Sequence, residues 1–288
     1  MHGWRTLVIN EKSSLSVEDM QLTVKGRKTI SMPMEQLRQV LITAASSMVD
    51  AKVISFAAEN HVHMMFCGEK HIPVCELIPI GRHHEAAGAV MDQVEWIQDR
   101  KDAVWKKIVE IKLDNQLRLL RETQRMPPPR FMDHALSVLP GDRTNREAVA
   151  ARMYFSSLFE KEFRRHAADA LNSKLNYGYT ILCSVFSRIL AMHGYHAGIG
   201  IHHCSRDNPV NLSYDLMEPF RPLVDRMVYE SGQSELDWDM KKRLIALPNA
   251  ACRLNGSDTT LDEAAAAFSL AALRCVKYGS ATLPEVVF

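Results

Sequence analysis

The spacing of apolar and polar positions changes character near residue 81. Ahead of it lie short apolar runs at 4–9, 20–24, 29–32, 40–43, 62–67 and 72–80, which read as strands. Lys25-Gly26-Arg27-Lys28 separates the second run from the third and predicts a hairpin turn. Residues 47–60 switch period: Val49, Val53, Phe56 and Ala57 fall on one helical face. Beyond Gly81-Arg82-His83-His84 the chain is helical almost to its end. Residues 89–100 and 104–123 carry apolar side chains at helical spacing, and Met126-Pro127-Pro128-Pro129 stops the second run, because proline has no N–H to donate. Thr144 and Glu147 stand at capping-box spacing and would open a helix reaching about Phe159. A mostly apolar helix at 177–193, central in a bundle, precedes a polar loop at 202–211. A helix at 215–230 follows, with Pro219 and Pro222 near its start, and a last helix at 260–276 is capped near Gly279. The expected fold class is α+β. A small N-terminal β-rich domain (1–82) precedes a linker (83–88) and a larger all-α C-terminal domain (89–288).

Composition narrows the function classes. A chain of 288 residues suits about two domains of roughly 150 residues each. Thirty-five Lys and Arg against 34 Asp and Glu give a net charge of +1, so the molecule does not coat nucleic acid by bulk charge. Local excesses exist: eight basic against four acidic residues at 101–130, and six against three at 143–165. Each is either a solvated helix surface or a surface that tracks phosphates. The six cysteines form no CxxC pair and read as free thiols in a reducing cytoplasm. No apolar run reaches the roughly 18 residues of a membrane helix, and the first residues lack a signal-peptide pattern, so a cytoplasmic protein without a membrane partner is expected. A phosphate-binding GxxxxGK[ST] loop, a GxGxxG turn and a GxSxG elbow are missing from the sequence, which argues against a nucleotide-driven motor, a dinucleotide oxidoreductase and an α/β-hydrolase.

The chemistry-bearing residues cluster late in the chain. His202-His203 lies 15 residues ahead of Glu218, with Asp215 three residues before that glutamate. Asp215 and Glu218 share a face if the helix is continuous; if it starts at Pro219, they need not. Glu147, among Asn145, Arg146 and Arg152, is a candidate third ligand, though it could equally cap its helix or pair with arginine. One imidazole and two carboxylates form an oxygen-rich set suited to Mg²⁺ or Mn²⁺. His83-His84 reads better as a polar hinge, His61 and His63 as a half-exposed strand, and Cys204 as a thiol with no assured base.

Gly198-Ile199-Gly200-Ile201-His202-His203 and the run from Asn211 to Asp225 resemble the CRISPR-associated "Cas one" integrase-nuclease family. Three more segments match in order: Asn145 to Phe155, Leu175 to Thr180, and Val104-Trp105 with Lys112 and Asn115-Gln116. Gly3-Trp4-Arg5 and Gly81-Arg82-His83 look like its type II branch. The resemblance implies Mg²⁺ or Mn²⁺ held by Glu147, His203 and Glu218 as the catalytic ligands, with Asp215 assisting. It leaves Arg146, Arg152 and Arg221 as candidate DNA contacts. It implies a homodimer formed through the β domains, with two dimers flanking a dimer of a small ferredoxin-like second adaptation protein. Double-stranded prespacer DNA and the CRISPR array are the implied substrates, and the type II RNA-guided effector is a further implied partner. The implied reaction is attack of a prespacer 3′-hydroxyl on a phosphodiester of the array. A nuclease that only cuts branched DNA, or a silent DNA-binding scaffold, are the alternatives.

Overall fold

The computed structural model describes residues 5–68, 73–77, 84–159, 162–165, 167–232, 235–279 and 282–288. Trp4, Ile72, residues 78–80 and Gly81-Arg82-His83 lie outside them, so the expectations resting on those positions go no further. The chain divides into two compact units, one of residues 1–86 with 191–194, the other of 87–190 with 195–288.

The first unit is β-rich. Strands β1 (Arg5–Ile9), β5 (Leu37–Ile42), β7 (His63–Cys67) and β8 (Pro73–Leu77) form one sheet in that spatial order. Its first two pairings are parallel and the last is antiparallel. Strands β4 (Thr29–Pro33), β3 (Gln21–Lys25), β2 (Ser14–Glu18) and β6 (Met48–Val49) form the second. In β2, Leu15 and Val17 are buried while Ser14, Ser16 and Glu18 are not, the period of a strand with one face on a core. That strand is absent from the apolar runs because its outward positions are serines. Its partner register, Glu18 opposite Gln21, leaves a two-residue turn, with Asp19 and Met20 at φ 46° and 62°. Met20 is thus turn rather than strand. Residues 47–60 split: Met48–Val49 pairs with β2, and α1 (Ala51–Glu59) starts after Asp50, burying Val53, Phe56 and Ala57. Leu15, Leu22, Val40, Val53 and Met64 meet in this unit's core.

The second unit is mostly helical: α2 (Ala86–Val94), α3 (Gln98–Glu122), α4 (Phe131–Leu136), α5 (Arg146–Leu158), α6 (Ala170–Met192), α7 (Asn211–Met217), α8 (Arg221–Glu230), α9 (Trp238–Ile245) and α10 (Leu261–Tyr278). The break between α2 and α3 falls at residues 95–97, where Ile97 is extended, and not at 101–103 as spacing suggested. Helix α6 buries Ile181, Leu182, Cys183 and Ser184, four consecutive positions that together cover its whole circumference, so it is the unit's centre. A Cβ on Gly178 would stand 2.4 Å from Val224 Cγ1, so α8 lies hard against α6 there. Helix α10 has the Thr260–Glu263 capping box and ends on Gly279 at φ 79°. This unit also holds a small antiparallel sheet of β10 (Ser257–Thr260), β9 (Ala251–Leu254) and β11 (Val286–Val287). The all-α expectation lacked this sheet; Asn255 and Gly256, at φ 50° and 82°, make its hairpin turn. No helix among the described residues is long and apolar enough to cross a membrane.

Candidate metal centre

Glu147 stands in the first turn of α5. The expected Thr144 capping box does not form: Asn145, at φ 53°, is the cap residue and makes no side-chain cap bond. Asp142 does that work instead. Its carboxylate accepts from the backbone N–H of Arg146 at 2.8 Å and of Glu147 at 2.9 Å. Two first-turn donors are thus satisfied from outside the helix, and the Glu147 side chain is not used for capping. It accepts a hydrogen bond from the Lys112 ammonium.

Glu218 follows α7 directly. Residues Glu218–Phe220 form one 3₁₀ turn between α7 and α8, so the helix begins early and bends at its prolines, the second of the two sequence alternatives. Asn115 Nδ2 on α3 donates to the Pro219 carbonyl at 3.0 Å and fastens the bend. Glu218 is buried; Lys112 Nζ lies 2.5 Å from its Oε2 and Arg221 Nε 2.8 Å from its Oε1. Burial alone would raise its pKa. The charges of Arg221 and Lys112, the Lys112 hydrogen bond and His203 outweigh it and bring the value to about 2. Burial likewise disfavours the Lys112 ammonium, but Glu147 and Glu218 overcome it and hold its pKa above the ordinary value.

His203 is set by Asp215 on α7, which is fully buried. Asp215 Oδ2 accepts from the backbone N–H of Ile201 at 2.6 Å and of His202 at 3.0 Å. Its Oδ1 accepts from His203 N–H at 3.0 Å and pairs with His203 Nδ1 at 2.6 Å. With a buried carboxylate as acceptor, Nδ1 is the donor, and Nε2 is the nitrogen left for a ligand. Burial works against the imidazolium, yet the Asp215 hydrogen bond and charge, with Glu218, raise the His203 pKa above its ordinary value. The loop needs glycine at 200: a Cβ there would come within 2.2 Å of the His203 carbonyl and 2.8 Å of Asp215 Oδ2. Trp105 of α3 stacks on His202, ring centroids 4.3 Å apart and planes 2° from parallel, and meets His203 edge-on at 5.6 Å.

A second buried cluster stands behind the first. Asp225 accepts from Tyr179 Oη at 2.5 Å and Tyr154 Oη at 2.9 Å, joining α8 to α6 and α5. Burial pushes the Asp225 carboxyl up to about 6, against the pull of both hydroxyls and of Arg221 and Lys112. The Arg221 guanidinium lies 4.7 Å over the Tyr179 ring.

The fold thus brings Glu147 and Glu218 to one ammonium and places His203 within electrostatic reach of Glu218. Among the described residues no three of His, Cys, Asp and Glu close on a single metal position. Lys112 stands between the two carboxylates. The donor set itself, two carboxylates and an imidazole oriented through its other nitrogen, fits a hard divalent cation. Asp215 has its oxygens committed to the loop. Of the three arginines, Arg152 is exposed, Arg146 pairs with His134 Nδ1 at 3.0 Å, and Arg221 is held by Glu218 and Tyr179. Spacing gave no role to Lys112, Asp142, Asp225, Tyr154 or Tyr179. The available signals were the seven-residue steps from Trp105 to Lys112 and from Glu147 to Tyr154, each two helical turns on one face.

Residues 7–255 match the family profile described as CRISPR associated protein Cas1. A CRISPR-associated endonuclease Cas1 of Neisseria meningitidis serogroup C (strain 8013) is 32% identical over 249 residues, 84% of this chain and 82% of that protein. Among solved structures, a casposase bound to integration product aligns with TM-score 0.80 at 16% identity, covering 97% of this chain and 92% of that one. The Cas6-RT-Cas1–Cas2 complex aligns with TM-score 0.76 at 18% identity, covering 97% of this chain and 36% of that one. The two structures share the fold, and the family profile and the Neisseria relative span most of the sequence: the chain belongs to the CRISPR-associated Cas1 family.

Proposed function

We propose that this chain is the integrase and endonuclease of CRISPR adaptation, inserting prespacer DNA into the CRISPR array. The observation that carries this is the meeting of Glu147 and Glu218, 71 positions apart in sequence, at one buried cationic point beside an Asp215-oriented His203. Glu147, His203 and Glu218 would hold Mg²⁺ or Mn²⁺, which when bound supplies Lewis-acid polarisation of the scissile phosphate. The chain's own residues do the rest. Asp215 keeps the His203 ring in one orientation. Arg221 keeps Glu218 ionised by holding its positive charge against Oε1. The prespacer 3′-hydroxyl loses its proton and its oxygen forms a new P–O bond as the array's own P–O bond breaks, and the departing 3′-oxygen takes up a proton to become a hydroxyl. One bond replaces another, so no nucleotide is consumed, and water in place of the hydroxyl gives cutting.

The casposase and the Cas1–Cas2 complex support the same assignment by fold. On the family resemblance, the β domain (1–82) would form a homodimer, with 83–88 as linker and 89–288 as the catalytic part. Two such dimers would flank a dimer of the small second adaptation protein, with the type II effector as a further partner. Arg152, exposed on α5, is the arginine best placed for a phosphate contact; Arg146 would contribute only by leaving His134. The test mixes the protein and its adaptation partner with labelled prespacer, a supercoiled array plasmid and Mg²⁺ or Mn²⁺. Label joined to the plasmid, and lost with EDTA or in Glu218→Ala, is expected. Cutting without joining would reduce the proposal to a nuclease, and binding with neither would leave a scaffold.

A further inference from the structure

We infer that Lys112 is a built-in counter-cation. It holds Glu147 and Glu218 together in the metal-free site, and a divalent ion has to displace it. The inference rests on the metal reading above. Lys112 reaches in from α3, while Glu147 comes from α5 and Glu218 from the bend between α7 and α8. Its ammonium donates to Glu147 Oε1 and to Glu218 Oε2, the latter at 2.5 Å, and the side chain is 6% exposed. Two carboxylates converging on one point in a desolvated place repel, and leaving either without a partner is costly. Lys112 removes that repulsion before any metal arrives.

The same geometry makes metal binding an exchange. Glu147 Oε1 and Glu218 Oε2 are the oxygens that converge on the ammonium, and an ion held between the two carboxylates would need the place the ammonium occupies. Arg221 does not have this conflict, because it approaches Glu218 through the other oxygen, Oε1. Lysine suits the role: a compact charge on a flexible four-carbon stem can swing aside, whereas a planar guanidinium fork would stay. Lys112 therefore stabilises the metal-free fold and weakens metal affinity together. A neutral side chain at 112 must move the two quantities in opposite directions.

The experiment titrates Mn²⁺ into the metal-free full-length chain by calorimetry and records melting temperature with and without the ion. Wild type, Lys112→Met, Lys112→Gln, Glu147→Ala and Glu218→Ala are compared. Lys112→Gln keeps amide donors for the carboxylates and is the milder variant should Lys112→Met not fold. Both Lys112 variants are expected to melt lower without metal, to bind Mn²⁺ about tenfold tighter or more, and to gain more melting temperature from it than wild type. A Lys112→Gln chain that is unfolded without metal and folds when Mn²⁺ is added supports the role of Lys112 equally. Equal or weaker Mn²⁺ binding by the folded variant, with binding lost in Glu147→Ala and Glu218→Ala, overturns the role of Lys112 and leaves the metal site standing. Unchanged binding in the two glutamate variants overturns the metal site and this inference with it.

Discussion

Asp215 accepts three backbone N–H groups and one imidazole N–H, so its effect on the proposed metal centre would run through His203. Asp215→Asn turns an amide N–H₂ toward donors and frees the ring. Joining and Mn²⁺ affinity are each expected to fall by about 10- to 100-fold, as for other carboxylates that orient a ligating histidine. Comparing joining rates with a Mn²⁺ titration checks this, and an Asn variant with wild-type values in both would remove Asp215 from the site. Glu147→Ala and His203→Ala are expected to abolish joining while prespacer affinity in gel shift stays within a few-fold of wild type; loss of duplex binding in both would make them structural. Glu147, His203, Asp215 and Glu218 were legible because their residue types, order and spacing carry the family resemblance. Lys112 and Asp225 stand in segments that carry the resemblance, but what they touch appears only across the bundle, because helical spacing names a face without naming its neighbour.

Helix α5 shows how an element aims a proposed ligand, Glu147. Asp142 closes its first turn from the preceding 3₁₀ segment, so removing the carboxylate leaves the N–H groups of Arg146 and Glu147 without it. Asp142→Ala is expected to cost about 1 kcal/mol, the usual worth of such a cap, and to loosen Glu147. Urea unfolding measures the first and Mn²⁺ affinity the second; a loss of stability with unchanged affinity would mean that Lys112 alone positions the glutamate. Gly178 tests packing in the same unit. Gly178→Ala forces a Cβ into Val224 and Leu244 and should cost about 1–3 kcal/mol, the range for overfilling a core. The existence of the longer helices α3, α6 and α10 was legible because apolar positions recur over many turns, but their starts were not: α3 begins at Gln98 and α6 at Ala170, against 104 and 177 from spacing. The short elements were not. Strand β2 alternates serine with Leu15 and Val17, a period-two pattern too polar to register as an apolar run. The β9–β10 hairpin carried the strongest short-range turn signal, Asn255-Gly256, but its strands are four residues each and sit inside a helical region.

At the scale of the whole molecule, a buried charge and the surface charge bear on different properties. Asp225 is ordinarily near 3.8 and is lifted to about 6 by burial, so folding favours its protonated form. That contribution is fully present below pH 3.8 and is lost as the pH rises through about 6, with a span on the order of 3 kcal/mol. Asp225→Asn should therefore gain on wild type between pH 4 and 7 by up to this amount in urea unfolding. A flat difference across that range would place the ionised carboxylate comfortably within its two tyrosines.

DNA binding calls for the opposite kind of reasoning, because the net charge of +1 supplies almost no long-range field. Any steep salt dependence must come from a local basic surface displacing counterions. The 143–165 segment carries six basic residues against three acidic ones, but the described part of that excess is not equally available. Arg146 is paired with His134, while Arg152 is exposed. Arg152→Ala is accordingly expected to lower the slope of log K against log salt by about 0.9, the share of one phosphate contact, and to weaken all duplex sequences alike. Arg146→Ala should change the slope less, since that side chain has to give up an existing partner to reach a phosphate. Fluorescence anisotropy on a prespacer duplex across a salt series measures both. If Arg146→Ala flattens the slope and Arg152→Ala does not, the DNA crosses α5 on the His134 side, and the exposed arginine belongs to the solvent.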